Sequence, residues 1–116
     1  MFTITRIYSD VNGDSRFEDI IMPLQDAGDI GFLSETKKVS RIIFREVEPT
    51  YDYNFHNAPQ RQYIVLLDGG IEIETSLGEK RIFKTGEVLL AEDTIGKGHR
   101  SKNIEPRKRK SLFIIL

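Results

Sequence analysis

Hydrophobic positions in this chain recur in short runs separated by turn residues, and no long segment keeps the 3.6-residue period of a helix. The clearest alternation lies at residues 71–75, where we expect the isoleucines to face inward and Glu72 and Glu74 to face outward. Residues 62–68 are apolar at nearly every position, which predicts a central strand that is buried on both faces. The same patterns predict further strands at residues 2–8, 17–22, 40–47, 81–83, 87–91 and 112–116.

Turn signals separate these strands and complete an all-β pattern. Residues 77–80 and the Thr85–Gly86 pair predict turns, and residues 93–98 contain two glycines and predict a loop. Residues 25–31 suit a loop, and residues 32–38 hold one helical turn at most. Many short strands with frequent turns are typical of barrels and sandwiches. The length of 116 residues favours a single domain that spans residues 1–116.

Composition narrows the possible classes of function. The formal net charge of −1 gives no global field that would attract nucleic acid or an anionic membrane, so we expect neither as a partner. The basic run at residues 107–110 is expected to be a solvated turn before the last strand. The chain has no cysteine, which excludes disulfides, thiolate zinc sites and cysteine nucleophiles. The first residues lack a signal-peptide pattern, so we expect a cytoplasmic protein.

The chain has two histidines, and both lie beside predicted strands. His56 precedes the buried strand at 62–68 and is followed by Ala58 and Gln62, and that strand leads to Gly69. His99 follows the turn at Gly86 and the loop at 93–98. Histidine is suited to proton transfer and to metal binding near neutral pH, since its ordinary pKa is about 6.5.

This arrangement resembles the two motifs of the cupin family. The first motif, G-x5-H-x-H-x3-4-E-x6-G, places His56 on its first histidine, Ala58 on its second and Gln62 on its glutamate. In the second motif, Thr85–Val88 is similar to the glycine turn, and His99 stands at the last metal-binding histidine. The resemblance covers most of the chain and looks like a small single-domain subgroup. It implies a cupin-like antiparallel β-barrel, also called a double-stranded β-helix or jelly roll, and we expect a homodimer.

The resemblance leaves a metal site and a metal-free site as alternatives. The common cupin metal site uses three histidines and a glutamate, which this chain lacks. His56 and His99 with one carboxylate, from Glu92 or Asp93, would give a facial triad for iron, manganese, zinc or nickel. We favour a site without a cofactor, because the second histidine is lost and the acid is replaced by Gln62.

In the metal-free interpretation, the resemblance to cupin-fold sugar epimerases implies a histidine base oriented by an aspartate, with a tyrosine as acid. His56 or His99 would be the base, Asp93 would orient it and Tyr53 would be the acid, with Tyr51 and Tyr63 as alternative acids.

The strand at 62–68 also predicts the lining of a pocket. Arg61 and Gln62 face opposite sides of the sheet, so Gln62 pointing inward with His56 turns Arg61 outward. Ile64 and Leu66 follow deeper on the face of Gln62. We therefore predict a pocket lined by His56, Gln62, Ile64 and His99 that binds a small polar molecule, such as a sugar derivative or an organic acid. The protein would be a metal-free isomerase or epimerase, a non-catalytic binding module, or a metal-dependent enzyme with a two-histidine site.

Overall fold

The chain opens with a hairpin whose turn is fixed by one aspartate and one glycine. In the computed structural model, which describes residues 1–116, β1 (Phe2–Ser9) pairs with β2 (Ser15–Met22). Asp10 Oδ1 accepts hydrogen bonds from the backbone N–H groups of Asn12 and Asp14, and Gly13 has a φ of +80°. Such Asx turns with a left-handed glycine are typical of tight β-connections.

Ten further strands and a single 3-10 turn follow this hairpin. The 3-10 turn (Gly28–Ile30) lies between two short strands, and the last strand ends at Ile115. The strands are β3 (Gln25–Asp26), β4 (Phe32–Leu33), β5 (Arg41–Val47), β6 (Asp52–His56), β7 (Gln62–Leu66), β8 (Ile71–Thr75), β9 (Lys80–Phe83), β10 (Val88–Ala91), β11 (His99–Asn103) and β12 (Arg109–Ile115). The chain forms no helix with the length and apolar character that a membrane span requires.

These strands form two main sheets and one small one. The first sheet has the order β2-β1-β10-β7-β12-β5, the second has the order β6-β11-β8-β9, and β3 pairs with β4. β1 runs parallel to β10, with Ile7 opposite Ala91, whereas the other pairs are antiparallel. The expectation of a purely antiparallel arrangement is therefore corrected at this pair. A long crossover connection separates the two strands, and parallel pairing requires one.

The hydrophobic core lies between the two main sheets. Ile7, Leu66 and Leu89 of the first sheet pack in one cluster with Ile71, Ile73 and Phe83 of the second. Each fully buried side chain of this size contributes about 1.5–3 kcal/mol relative to exposure. The sheets thus face each other as an all-β sandwich, and their hydrogen bonding does not close into one continuous barrel.

Several predicted strands are confirmed, and the exceptions have a common cause. β7 lies between β10 and β12 as a central strand, and β8 buries Ile71 and Ile73 as expected. β6 and β11 escaped prediction because β11 is entirely polar and β6 has only Tyr53 and Phe55 among polar residues. Phe32 and Leu33 form a short strand, not a helical turn.

Candidate functional site

A cavity lies between the two sheets, next to the hydrophobic core. Its volume is about 230 Å³, several times the ~30 Å³ that a water molecule takes in the liquid. Both sheets contribute to its wall, so it is internal to the sandwich. The lining residues are Arg45, Tyr51, Tyr53, His56, Asn57, Ala58, Pro59, Gln62, Ile64, Ile71, Ile73, His99, Ser101, Arg109 and Phe113.

His99 is held against this cavity by a buried carboxylate. It is the first residue of β11 and is only 5% exposed. Its Nδ1 atom lies 2.5 Å from Oδ2 of Asp93, which also accepts a 2.7 Å hydrogen bond from the Ser15 hydroxyl. An ionised carboxylate only accepts hydrogen bonds, so Nδ1 of His99 carries the proton. Nε2 is then the ring nitrogen that is free to act in the cavity.

His56 stands beside His99 on the neighbouring strand. The two residues are paired in register between β6 and β11, and their ring centroids are 4.6 Å apart. Nδ1 of His56 donates a 2.7 Å hydrogen bond to the carbonyl of Asn54, and the Tyr53 ring stacks on the imidazole at 3.8 Å. Burial lowers the pKa of His56, and the nearby His99 lowers it further. His56 is therefore neutral at neutral pH, with Nε2 as an acceptor.

A glycine allows the two histidines to come this close. Gly98, which precedes β11, has a φ of +76°, and a Cβ atom there would overlap the backbone carbonyl of His56. The pairing of β6 with β11 also shifts register between His99 and Ser101. The loop at 93–98 therefore ends in a backbone conformation that only glycine adopts readily.

The central strand β7 supplies the opposite wall. Gln62 is 3% exposed and lines the cavity with Ile64, and its Oε1 atom has no protein partner. Leu66 lies on the same face but belongs to the core. Arg61 is exposed and pairs with Glu92, as the alternation along the strand requires.

Glu92 and Tyr63 are candidate residues whose side chains point away from the cavity. Glu92 accepts hydrogen bonds from Arg6 and Arg61, so it does not supply the carboxylate of a metal site. Tyr63 faces the other side of the first sheet, where it lines a separate groove with Phe2 and Ile4. Glu92 as a metal ligand and Tyr63 as an acid are therefore corrected for the same reason. Neighbouring residues in an extended chain face opposite sides of the sheet.

The other two tyrosine candidates, Tyr51 and Tyr53, both line the cavity, but they differ in their contacts. The Tyr51 hydroxyl shares a 2.7 Å hydrogen bond with Ser101 Oγ on β11, the strand that also carries His99. Tyr53 is stacked on His56 and remains 53% exposed. Tyr51 therefore has the more fixed hydroxyl.

Sequence reasoning missed two arginines of the cavity wall. Arg109 was expected in a solvated turn, but it begins β12 and is 2% exposed. Arg45 of β5 is half-buried and also lines the cavity. Arg109, Ser111, Phe113 and Ile115 alternate along β12, so extending the period of two back from Phe113 would have found the buried arginine.

The metal-ligating side chains near the cavity do not fit the predicted site of two histidines and one carboxylate. His56 and His99 converge, but no group of three or more histidine, cysteine, aspartate or glutamate side chains is placed to hold a metal ion. Oδ2 of Asp93 is engaged by Nδ1 of His99 and by Ser15, and Asp93 is not part of the cavity lining although its other oxygen has no partner. Ala58 fills the place where the family motif has a second histidine. A facial triad needs a carboxylate as its third ligand, which the cavity does not supply.

No protein-family model matches the chain, and no curated protein matches it. The chemistry of the site must be argued from its geometry.

Proposed function

We propose that the protein has a cupin-like jelly roll and catalyses a metal-free proton transfer on a small polar molecule held in the cavity. The reaction class is isomerisation or epimerisation at a carbon next to a carbonyl. The observation that carries the proposal is the position of His99, between the buried carboxylate of Asp93 and the cavity.

His99 has the features of a general base. Asp93 holds the Nδ1–H tautomer and stabilises the imidazolium that forms when Nε2 takes a proton from the substrate carbon. Ser15 fixes the carboxylate from the other side with its hydroxyl. The base, its orienting group and the group that fixes that carboxylate are all buried, which strengthens their interactions.

Tyr51 is the acid that the geometry favours. Its hydroxyl is anchored to Ser101, two residues along β11 from His99, which corresponds to about 7 Å along the strand. In the forward step, Nε2 of His99 takes the carbon-bound proton and the Tyr51 hydroxyl protonates the carbonyl oxygen. In an isomerisation, the imidazolium then protonates the former carbonyl carbon and the Tyr51 phenolate takes the proton of the neighbouring hydroxyl, which restores both groups. In an epimerisation, the enol returns its hydroxyl proton to Tyr51, the same carbon takes a solvent proton on its other face and His99 releases its proton to solvent. Neither course needs an oxidant or reductant.

The experiment is solvent deuterium exchange, followed by proton NMR, on a panel of 2-hydroxy and 2-oxo acids and small sugars. We expect the wild-type protein to exchange a carbon-bound proton of at least one compound in the presence of a chelator. His99→Asn is expected to slow this exchange by about 10²–10⁴-fold. The matched control is Arg100→Gln, which changes the next residue of β11, an exposed arginine paired with Asp52. Equal exchange rates in wild type and His99→Asn would contradict the proposal.

The second candidate is a binding module without catalysis. It is favoured by the stacking of Tyr53 on His56 and by Gln62, which are groups that bind well and react poorly. In that case, ligands that shift the NMR spectrum would be recovered without deuterium.

A further inference from the structure

We propose that the cavity recognises its ligand through a carboxylate group, which is held by the guanidinium groups of Arg109 and Arg45. The inference rests on the proposed function for the location of the ligand, and it deepens that function by naming the substrate class as small organic acids.

The two arginines are neighbours by strand register. In the pairing of β12 with β5, Arg45 lies opposite Ser111 and Arg109 lies opposite Val47, so the arginines are diagonal neighbours on one face. Diagonal neighbours on paired strands are within reach of long side chains. The face they share is the one that lines the cavity.

Neither guanidinium forms a salt bridge with a carboxylate of the protein. The salt bridges of the chain include no partner for Arg45 or Arg109. Nε of Arg109 donates to Asn103, whereas both of its terminal nitrogens are buried without a partner. Burial and the charge of Arg45 lower the pKa of Arg109 to about 10, so it stays charged at neutral pH, and the charge of Asp68 acts on it without direct contact. Buried cations are nearly always paired, so Arg109 lacks a directly bound counter-ion.

Aromatic rings hold the arginines without using their N–H groups. Arg45 lies over the rings of Tyr51 and Phe113 at 4.9 and 4.8 Å, and Arg109 lies 5.5 Å from the Tyr51 ring centroid. Stacking of this kind fixes the plane of a guanidinium and leaves its edge available.

The unpaired edge of Arg109 matches the shape of a carboxylate. Its two terminal nitrogens, which are buried, form a fork that can bind the two oxygens of a carboxylate in parallel. The cavity of about 230 Å³ suits a small acid. A carboxylate bound there would leave the rest of the molecule in the cavity that His99 also lines.

The test is a proton–nitrogen NMR titration of the full-length protein with matched pairs of probes. The pairs are glycolate with glycolamide, lactate with lactamide and malonate with malonamide, and inorganic phosphate is a separate probe. We expect at least one carboxylate to bind about tenfold more tightly than its amide, because the amide lacks the charge that the arginines bind.

The variants locate this binding. Arg109→Met and Arg45→Met are expected to weaken carboxylate binding by about tenfold or more. The matched control is Arg107→Met, since Arg107 belongs to the same basic run but is exposed and points to Glu105. Should Arg109→Met fail to fold, the comparison of carboxylate with amide binding in the wild-type protein decides whether the inference stands.

Equal affinity for carboxylate and amide, wild-type affinity in Arg109→Met, or phosphate binding tighter than every carboxylate would overturn the inference. So would an absence of shifts with all the carboxylates. The outcome is separable from that of the proposed function, because carboxylate binding is measured without turnover. Binding that depends on Arg109 without deuterium exchange would leave this inference standing and remove the catalytic proposal.

Discussion

Two side chains of the cavity wall, Gln62 and Arg109, have polar atoms that lack protein partners. The atoms are Oε1 of Gln62 and the two terminal nitrogens of Arg109, while Thr75, Asp93 and Ser111 have such atoms outside the cavity lining. Folded proteins leave few such atoms, because each costs about 1–3 kcal/mol. At the residue scale, the unpaired atoms of Gln62 and Arg109 fit a surface that binds a ligand at some cost in stability.

Arg109 is the clearest case of a side chain that lowers the stability of the fold, and replacing it should reveal this. Arg109→Met keeps much of the volume and removes a buried unpaired charge, so we expect the free energy of unfolding to stay within about 1 kcal/mol of wild type or to rise. Urea unfolding measures the change. A loss of more than about 2 kcal/mol would contradict this prediction and mean that Arg109 stabilises the fold.

His56 should make stability depend on pH. Burial and the neighbouring His99 lower its pKa in the folded state below the ordinary value of 6.5. Between 6.5 and that lowered pKa, the unfolded chain binds a proton that the folded chain does not, so stability falls as the pH falls through this window.

The variant His56→Gln should flatten this dependence. Urea unfolding of both proteins at about pH 7.5 and about pH 5.5 measures the two slopes. An equal loss of stability in wild type and His56→Gln would assign the dependence to another group.

At the scale of elements, strands with apolar runs or alternation were predictable and the two strands that carry the histidines were not. β8 alternates Ile71 and Ile73 with glutamates, whereas β11 consists of polar residues and β6 has only two aromatic residues among polar ones. His56 and His99 could be predicted as site residues because they are the two histidines of the chain and histidine suits proton transfer and metal binding. Their pairing in register, and the contact of His99 with Asp93, come from long-range strand order that no local pattern contains.

The approach of β6 to β11 depends on Gly98. Gly98→Ala should lower the free energy of unfolding by about 2 kcal/mol or more, because its Cβ would meet the His56 carbonyl and the residue keeps a φ of +76°. Gly78→Ala is the matched control, with a φ of +85° and open space around it, and should cost about 1 kcal/mol. Equal losses of stability in the two variants would show that a methyl group fits between Gly98 and the His56 carbonyl.

The whole molecule divides its interior between a core and a cavity. The cluster around Leu66 and Ile73 stabilises one part of the sandwich, and the other part encloses the histidines and arginines. The all-β class followed from the sequence pattern. The two-sheet arrangement, the parallel pair and the arginine wall did not, because each depends on which distant strands lie side by side.

The expected homodimer would form through the edge strand β5. Ile42 and Phe44 are 51% and 78% exposed, and the outer edge of the strand has no neighbour. We propose that two copies pair antiparallel along this free edge. We expect sedimentation to show a dimer and Phe44→Asp to yield a folded monomer. A monomeric wild-type protein would contradict this pairing.

The central claim is that Asp93 holds His99 as a base that faces the cavity, and long-range proton–nitrogen NMR of the two imidazoles tests it most directly. We expect Nδ1 of both rings to carry a proton, with a strongly downfield Nδ1 proton for His99 that disappears in Asp93→Asn. An Nε2–H tautomer for His99, or a spectrum unchanged by Asp93→Asn, would contradict the account.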